Sequence, residues 1–160
     1  MAIYLDYEGI KGSVTAEGYQ GHIEIQSFGY KVARKISMEA GHLSNRESSR
    51  PKISEVTLLK YFDKSSVGLF KESLAGSMGK TVVIKFVRTG ADQLQEYMVC
   101  TLENCLVSRY AITASIYTKP SEVIMLSFSE IMMDYTGRDA ANKSGNPLRV
   151  GYDLVAAKPL

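Results

Sequence analysis

Gly79, Lys80 and Thr81 stand in the order in which a phosphate-binding loop ends, so nucleotide binding is the first chemistry the chain suggests. Such a loop needs a glycine five positions before Gly79, where this chain has Leu74. It must also run from a strand into a helix, so that free amides and the helix dipole meet the phosphates. Here a helical pattern ends and a strand pattern begins, which is the reverse context. The two histidines, His22 and His42, are far apart and combine with Cys100 and Cys105 in no zinc-ligand spacing. Gly12-Ser13 and Gly76-Ser77 lack the rest of a nucleophile turn. The carboxylate pairs Asp92 with Glu96 and Glu130 with Asp134 fall at or near loops and strand ends, where solvation is the default. No catalytic residue, cofactor-binding residue or metal ligand is therefore assigned, and the expectation is a protein that is not an enzyme.

A second possibility is polyanion binding by Lys31, Arg34, Lys35, Arg46, Arg50 and Lys52, with Tyr30 nearby for base stacking on a small barrel. Glu39, Glu47 and Glu55 interleave with these bases, and a formal charge of +2 over 160 residues is small. A polar loop rim accounts for the same residues, so nucleic acid is kept only as the alternative function. A lipocalin-like carrier would need a cavity inside the barrel, and a barrel this small is expected to be filled by its own side chains.

The elements that would position these residues are mostly strands. Apolar residues recur with period two in residues 2–7, 22–28, 54–61, 81–88, 96–108, 122–135 and 150–156, about seven strands of an antiparallel fold. In residues 122–135 the apolar face is carried by Ile124, Leu126 and Phe128, then by Ile131, Met133 and Tyr135. That one-residue phase change predicts a β-bulge near Ser129 and Glu130, which favours a bent strand in a barrel. One helix is expected, capped by Ser66, with Val67, Phe70 and Leu74 on one stripe and Gly76 as its stop. Cys100 and Cys105, five apart in a regular strand, would project from opposite faces, which argues against a disulfide. Residues 39–52 and 137–147 are polar and aperiodic, and loops of that length are usually functional or mobile.

With 45% hydrophobic and 22% charged residues the chain has the composition of one globular domain over residues 1–160. No apolar run approaches the ~20 residues that span a bilayer, and no membrane insertion is expected. The first residues, Met1 to Asp6, have neither the basic nor the apolar region of a signal peptide, so the chain is expected to be made in the cytoplasm.

The segments Lys60-Tyr61-Phe62-Asp63-Lys64-Ser65-Ser66, Ser108-Arg109-Tyr110, Val123 to Tyr135 and Gly151-Tyr152-Asp153-Leu154, in that order, resemble the haemolysin-coregulated protein (Hcp) family of type VI secretion systems. Ile10-Lys11-Gly12, Gly18-Tyr19, Ile23-Glu24-Ile25 and Ser27-Phe28 resemble the family's opening strands, so the likeness runs nearly end to end. Val67 departs from the proline often found at the first helical position, and Cys105 from an aliphatic residue; both exchanges suit the expected environments.

The resemblance implies a mainly β protein, an antiparallel β-barrel of two packed sheets with one short flanking α-helix, whose copies form a six-membered ring. It implies that rings stack into the inner tube of a contractile injection apparatus. The partners implied are the chain's own copies, sheath, baseplate and tip spike proteins, and small effector proteins in the lumen, with no cofactor. It further implies export without a signal peptide, and the end at Leu160 implies no fused effector domain. A cyclic ring needs two different contact patches and stacking needs exposed loops. Length and polarity make residues 39–52 the expected stacking loop, in particular Gly41, His42, Ser44, Asn45, Arg46, Glu47, Ser48 and Arg50.

Overall fold

A computed structural model describes residues 1–38, 40–41, 49–90, 93–137 and 145–160. Strict alternation produces β1 (Ala2–Tyr7), which turns Ile3, Leu5 and Tyr7 inward. A glycine-rich connection leads to β2 (Ile23–Ile25) and, one residue later, β3 (Ser27–Gly29). A two-stranded ribbon, β4 (Val32–Ala33) with β5 (Lys52–Ile53), forms the base of the long polar loop. Then come β6 (Val56–Tyr61), α1 (Ser66–Ala75), β7 (Lys80–Thr89), β8 (Leu94–Ser115), β9 (Thr118–Ser127), β10 (Glu130–Tyr135), β11 (Leu148–Asp153) and β12 (Lys158–Pro159).

All pairings are antiparallel and are organised by β8, which belongs to two sheets. Its first half pairs with β7 and β10 in the order β12-β11-β10-β8-β7-β1-β2, and its second half pairs with β9 in the order β8-β9-β6-β3. The strand turns its corner at Asn104, whose φ of 52° is left-handed, opposite a register shift between Lys80 and Val82. An extra residue of this kind bends the strand and raises its local twist.

The fold is thus mainly β with one short helix, as expected, but the barrel is not closed by continuous pairing. The two sheets rejoin at Gln26, where β2 passes into β3 and the Gln26 amide donates to the Leu59 carbonyl at 2.7 Å. The phase change in residues 122–135 is also not a bulge within one strand. β9 ends at Ser127, and Phe128 and Ser129 carry the chain from one sheet to the other before β10 begins. The Ser129 amide donates to Glu103 O at 3.1 Å, so this crossing lies beside the corner of β8. Changing sheets changes which side faces the core, and this produces the one-residue shift.

Between the sheets lie Tyr7, Ile23, Val56, Leu58, Val82, Ile84, Leu102, Ile124 and Leu126, each essentially inaccessible to water. Each such aliphatic side chain contributes about 1.5–3 kcal/mol relative to exposure. Cys100 and Cys105 both join this core as free thiols, contrary to the expectation of opposite faces. The left-handed residue Asn104 between them resets the alternation. Burial pushes both thiols up to about 12.

The helix lies where the sequence places it, but it is capped differently. Leu69 and Ser66 face inward, while Val67, Phe70 and Leu74 face outward. Ser65 occupies the cap position without a side-chain bond to the helix, so Ser66 is not the cap. Gly76 ends the helix in an extended conformation, and its amide donates to Glu72 O at 2.9 Å. A Cβ at Gly76 would lie 2.6 Å from that carbonyl, so close approach, not a positive φ, accounts for glycine there.

Candidate functional site

The segment Lys60–Ser66 is organised around a buried ion pair. On β6 the alternation that buries Val56 and Leu58 also buries Lys60, and its cross-strand partner on β9 is Glu122; both are 0% exposed. Lys60 Nζ donates to Glu122 Oε2, and it reaches Ser66 Oγ at 3.2 Å and Asp63 Oδ1 at 3.1 Å. The Tyr110 hydroxyl on β8 donates to the other carboxylate oxygen of Glu122. Burial, followed by that bond to Glu122, raises the tyrosine's pKa above its ordinary value. Asp63 Oδ1 also accepts from the amide and hydroxyl of Ser65, and the Asp63 amide donates to Ser66 Oγ at 3.1 Å. The cluster ties the start of α1 to β6, β8 and β9. With Lys60, Glu122 and Ser66 closed to solvent and Asp63 and Tyr110 part-buried around them, it has the geometry of a structural clamp.

The other residues weighed for chemistry are engaged elsewhere. The Thr81 amide donates to Glu8 Oε2 at 2.9 Å and its hydroxyl to Glu103 Oε2 at 2.8 Å, so the groups that would meet a phosphate meet carboxylates. The ring of His22 lies 5.6 Å from that of Tyr19, edge to face. Glu96 accepts from the Tyr19 hydroxyl at 3.0 Å and lies 3.7 Å from Lys85 Nζ, and Asp134 accepts from Arg149. Asp92 lies outside the described residues. No group of three or more potential metal ligands occurs among the described residues.

Of the residues expected to stack rings, Gly41 sits in a turn with φ of 86° and Arg50 is exposed. His42, Ser44, Asn45, Arg46, Glu47 and Ser48 lie outside the described residues. The base of this loop is held by β4 and β5 and by two side-chain bonds, Lys31 N to Ser54 Oγ at 2.9 Å and Lys35 N to Ser49 Oγ at 2.7 Å. Lys31, Arg34, Lys35, Arg50 and Lys52 are grouped on or beside this ribbon. Tyr30 packs edge to face on Phe28 at 5.8 Å, an arrangement that leaves its ring partly occupied.

Two apolar surfaces stand out that sequence reasoning did not identify. On one, Phe62, Val67, Phe70 and Ile112 border a depression of about 210 Å³, with Tyr110 beneath Phe70 at 5.7 Å between ring centroids. On the other, a groove of about 400 Å³ runs between the β4–β5 ribbon and strands β10, β11 and β12. The outward stripe of α1 is visible in the sequence, but its direction is not, because periodicity shows that a helix has an apolar side without showing what that side meets.

The family profile described as "Type VI secretion system effector, Hcp" matches residues 4–135. The protein Hcp1 of Pseudomonas aeruginosa is 25% identical over 104 residues, which span 64% of this chain and 64% of that protein's length. Among solved structures, one of a type six secretion system protein shares 20% identity, covers 99% of both chains and has a TM-score of 0.91. Hcp1 from Salmonella typhimurium shares 23% identity with a TM-score of 0.76, covering 99% of this chain and 98% of that one. At these identities the structural likenesses establish the fold. The profile match extends from β1 to the end of β10, through the clamp and both halves of β8, and it places this chain in the Hcp family of type VI secretion systems.

Proposed function

We propose that residues 1–160 act as one Hcp-like domain whose six copies close into a ring, and that such rings stack into the inner tube of a contractile injection apparatus. In this reading the subunit has no catalytic role and needs no cofactor. Its partners are its own copies, the sheath, baseplate and tip spike, and small effector proteins that travel in the lumen. It is made in the cytoplasm and leaves with the tube, without a signal peptide. The family profile over residues 4–135 is the observation that carries the reading.

Size-exclusion chromatography with light scattering, followed by negative-stain imaging, tests it. The expected species is a ring with six times the chain mass of 17.7 kDa. A monomer at every accessible concentration removes the tube reading.

The loop carried by the β4–β5 ribbon is the proposed stacking element. Deleting residues 41–49 is expected to leave rings intact and to abolish tubes under conditions in which the wild-type protein stacks. Tubes that persist after the deletion would show that stacking is made elsewhere.

A further inference from the structure

A ring closed from identical subunits uses a heterologous contact, in which two different patches of one chain fit each other. The described surface offers such a pair. The first is a ridge: Val67, Phe70 and Leu74 follow one another at helical spacing along α1, flanked by Phe62 and Ile112, and all five are 49–72% exposed. The second is concave: Ile131, Met133 and Tyr152 line the groove, between Val32 and Ile53 of the ribbon on one side and the β11–β12 edge on the other. Val150, Leu148 and Leu160 extend its apolar surface, at 72%, 66% and 50% exposure.

Area supports pairing the two. With ~150–250 Å² for an aromatic side chain and somewhat less for an aliphatic one, the exposed fractions amount to about 400–500 Å² of apolar surface on each face. A stable interface of ordinary size buries about 800 Å² per partner, a little over half of it apolar, so each face matches one side of such an interface. An amphipathic helix laid into an apolar groove is a recurring mode of recognition.

Resting on the ring reading above, we infer that the α1 ridge of one copy seats in the groove between the β4–β5 ribbon and the β10–β12 strands of the next copy. The clamp at Lys60 and Glu122 then positions the ridge by fixing the start of α1 to the sheets. The groove is built at the sheet edge, so one copy can donate its helix while accepting a neighbour's.

A mixing experiment tests the contact. Val67→Asp with Leu74→Asp spoils the ridge, and Val150→Asp spoils the groove. These side chains are exposed, so both variants should keep the wild-type far-ultraviolet circular dichroism; if Val150→Asp does not fold, Val32→Asp serves in its place. Each variant alone is expected to be monomeric at concentrations where the wild-type protein forms rings. An equimolar mixture is expected to give a species of two chains and nothing larger, because one intact ridge and one intact groove remain. Rings from either variant alone, or a mixture that stays monomeric, overturn the contact and leave the ring reading standing. A groove variant that dimerises alone also overturns it, since that would mean ridge pairs with ridge. A monomeric wild-type protein removes the ring reading and this contact with it.

Discussion

Lys60→Met is expected to lower unfolding stability by about 3–5 kcal/mol, because it leaves the carboxylate of Glu122 buried without its cation. Lys60 and Glu122 are both 0% exposed, and the Tyr110 hydroxyl is the only other described side chain bonded to Glu122. A single hydroxyl does not offset the cost of a buried charge. Asp63 and Ser66 lose a partner in the same substitution, which loosens the first turn of α1. The double variant Lys60→Met with Glu122→Leu should recover at least half of the loss, since a buried ion pair exchanged for apolar side chains of similar volume is often neutral. Urea unfolding of the two variants at one fixed protein concentration measures this, because assembly adds concentration-dependent stability. Equal losses in the single and double variants would show that an unpaired Glu122 carboxylate is not the source of the loss.

Gly12→Ala is the second large effect, expected to cost about 2–3 kcal/mol through overpacking against backbone. The Gly12 amide donates to Gly21 O at 2.8 Å, the Val14 amide to His22 O at 3.1 Å, and the Gly21 amide to Val14 O at 2.9 Å. These bonds draw two segments so close that a Cβ at position 12 would lie 2.3 Å from His22 O and 2.6 Å from Ile23 Cα. Both atoms are main chain and lead directly into β2, so relief requires separating the 12–14 and 21–23 segments. Gly29→Ala is the control: an added Cβ there meets nothing within 4 Å, and its stability should change by less than about 0.5 kcal/mol. Thermal unfolding of the two variants side by side separates close approach from the general effect of replacing glycine. Equal and small changes would mean that the 12–14 and 21–23 segments can separate at little cost.

In residues 2–7 one side of the strand meets the core and the other does not, so the alternation of Ile3, Leu5 and Tyr7 is visible and β1 spans those residues. The seven strand signals, the helix at Ser66 and the resemblance to the Hcp family were legible because each rests on local order or on ordered short segments. Residues 112–120 were not legible as strand. They are exposed throughout, with Ile116 and Tyr117 at 92% and 88%, so no alternation marks where β8 ends and β9 begins. The stacking segment could be nominated by its length and polarity, and its ribbon base in the structure came from Val32, Ala33, Lys52 and Ile53, a pairing too short to leave a periodic signal.

Sequence alone therefore determined the family, the mainly β class and where most strand-forming segments lie, because hydrophobic period and residue order are properties of neighbours along the chain; residues 122–135, one run in the sequence, are two strands in different sheets. Tertiary structure decided the sheet change at Phe128 and Ser129, the inward turn of both Cys100 and Cys105, the outward turn of the α1 stripe and the burial of Lys60 against Glu122. Those depend on which strand lies beside which, and in what register. A lysine and a glutamate 62 positions apart read as solvated charges until β6 and β9 place them opposite one another inside the core.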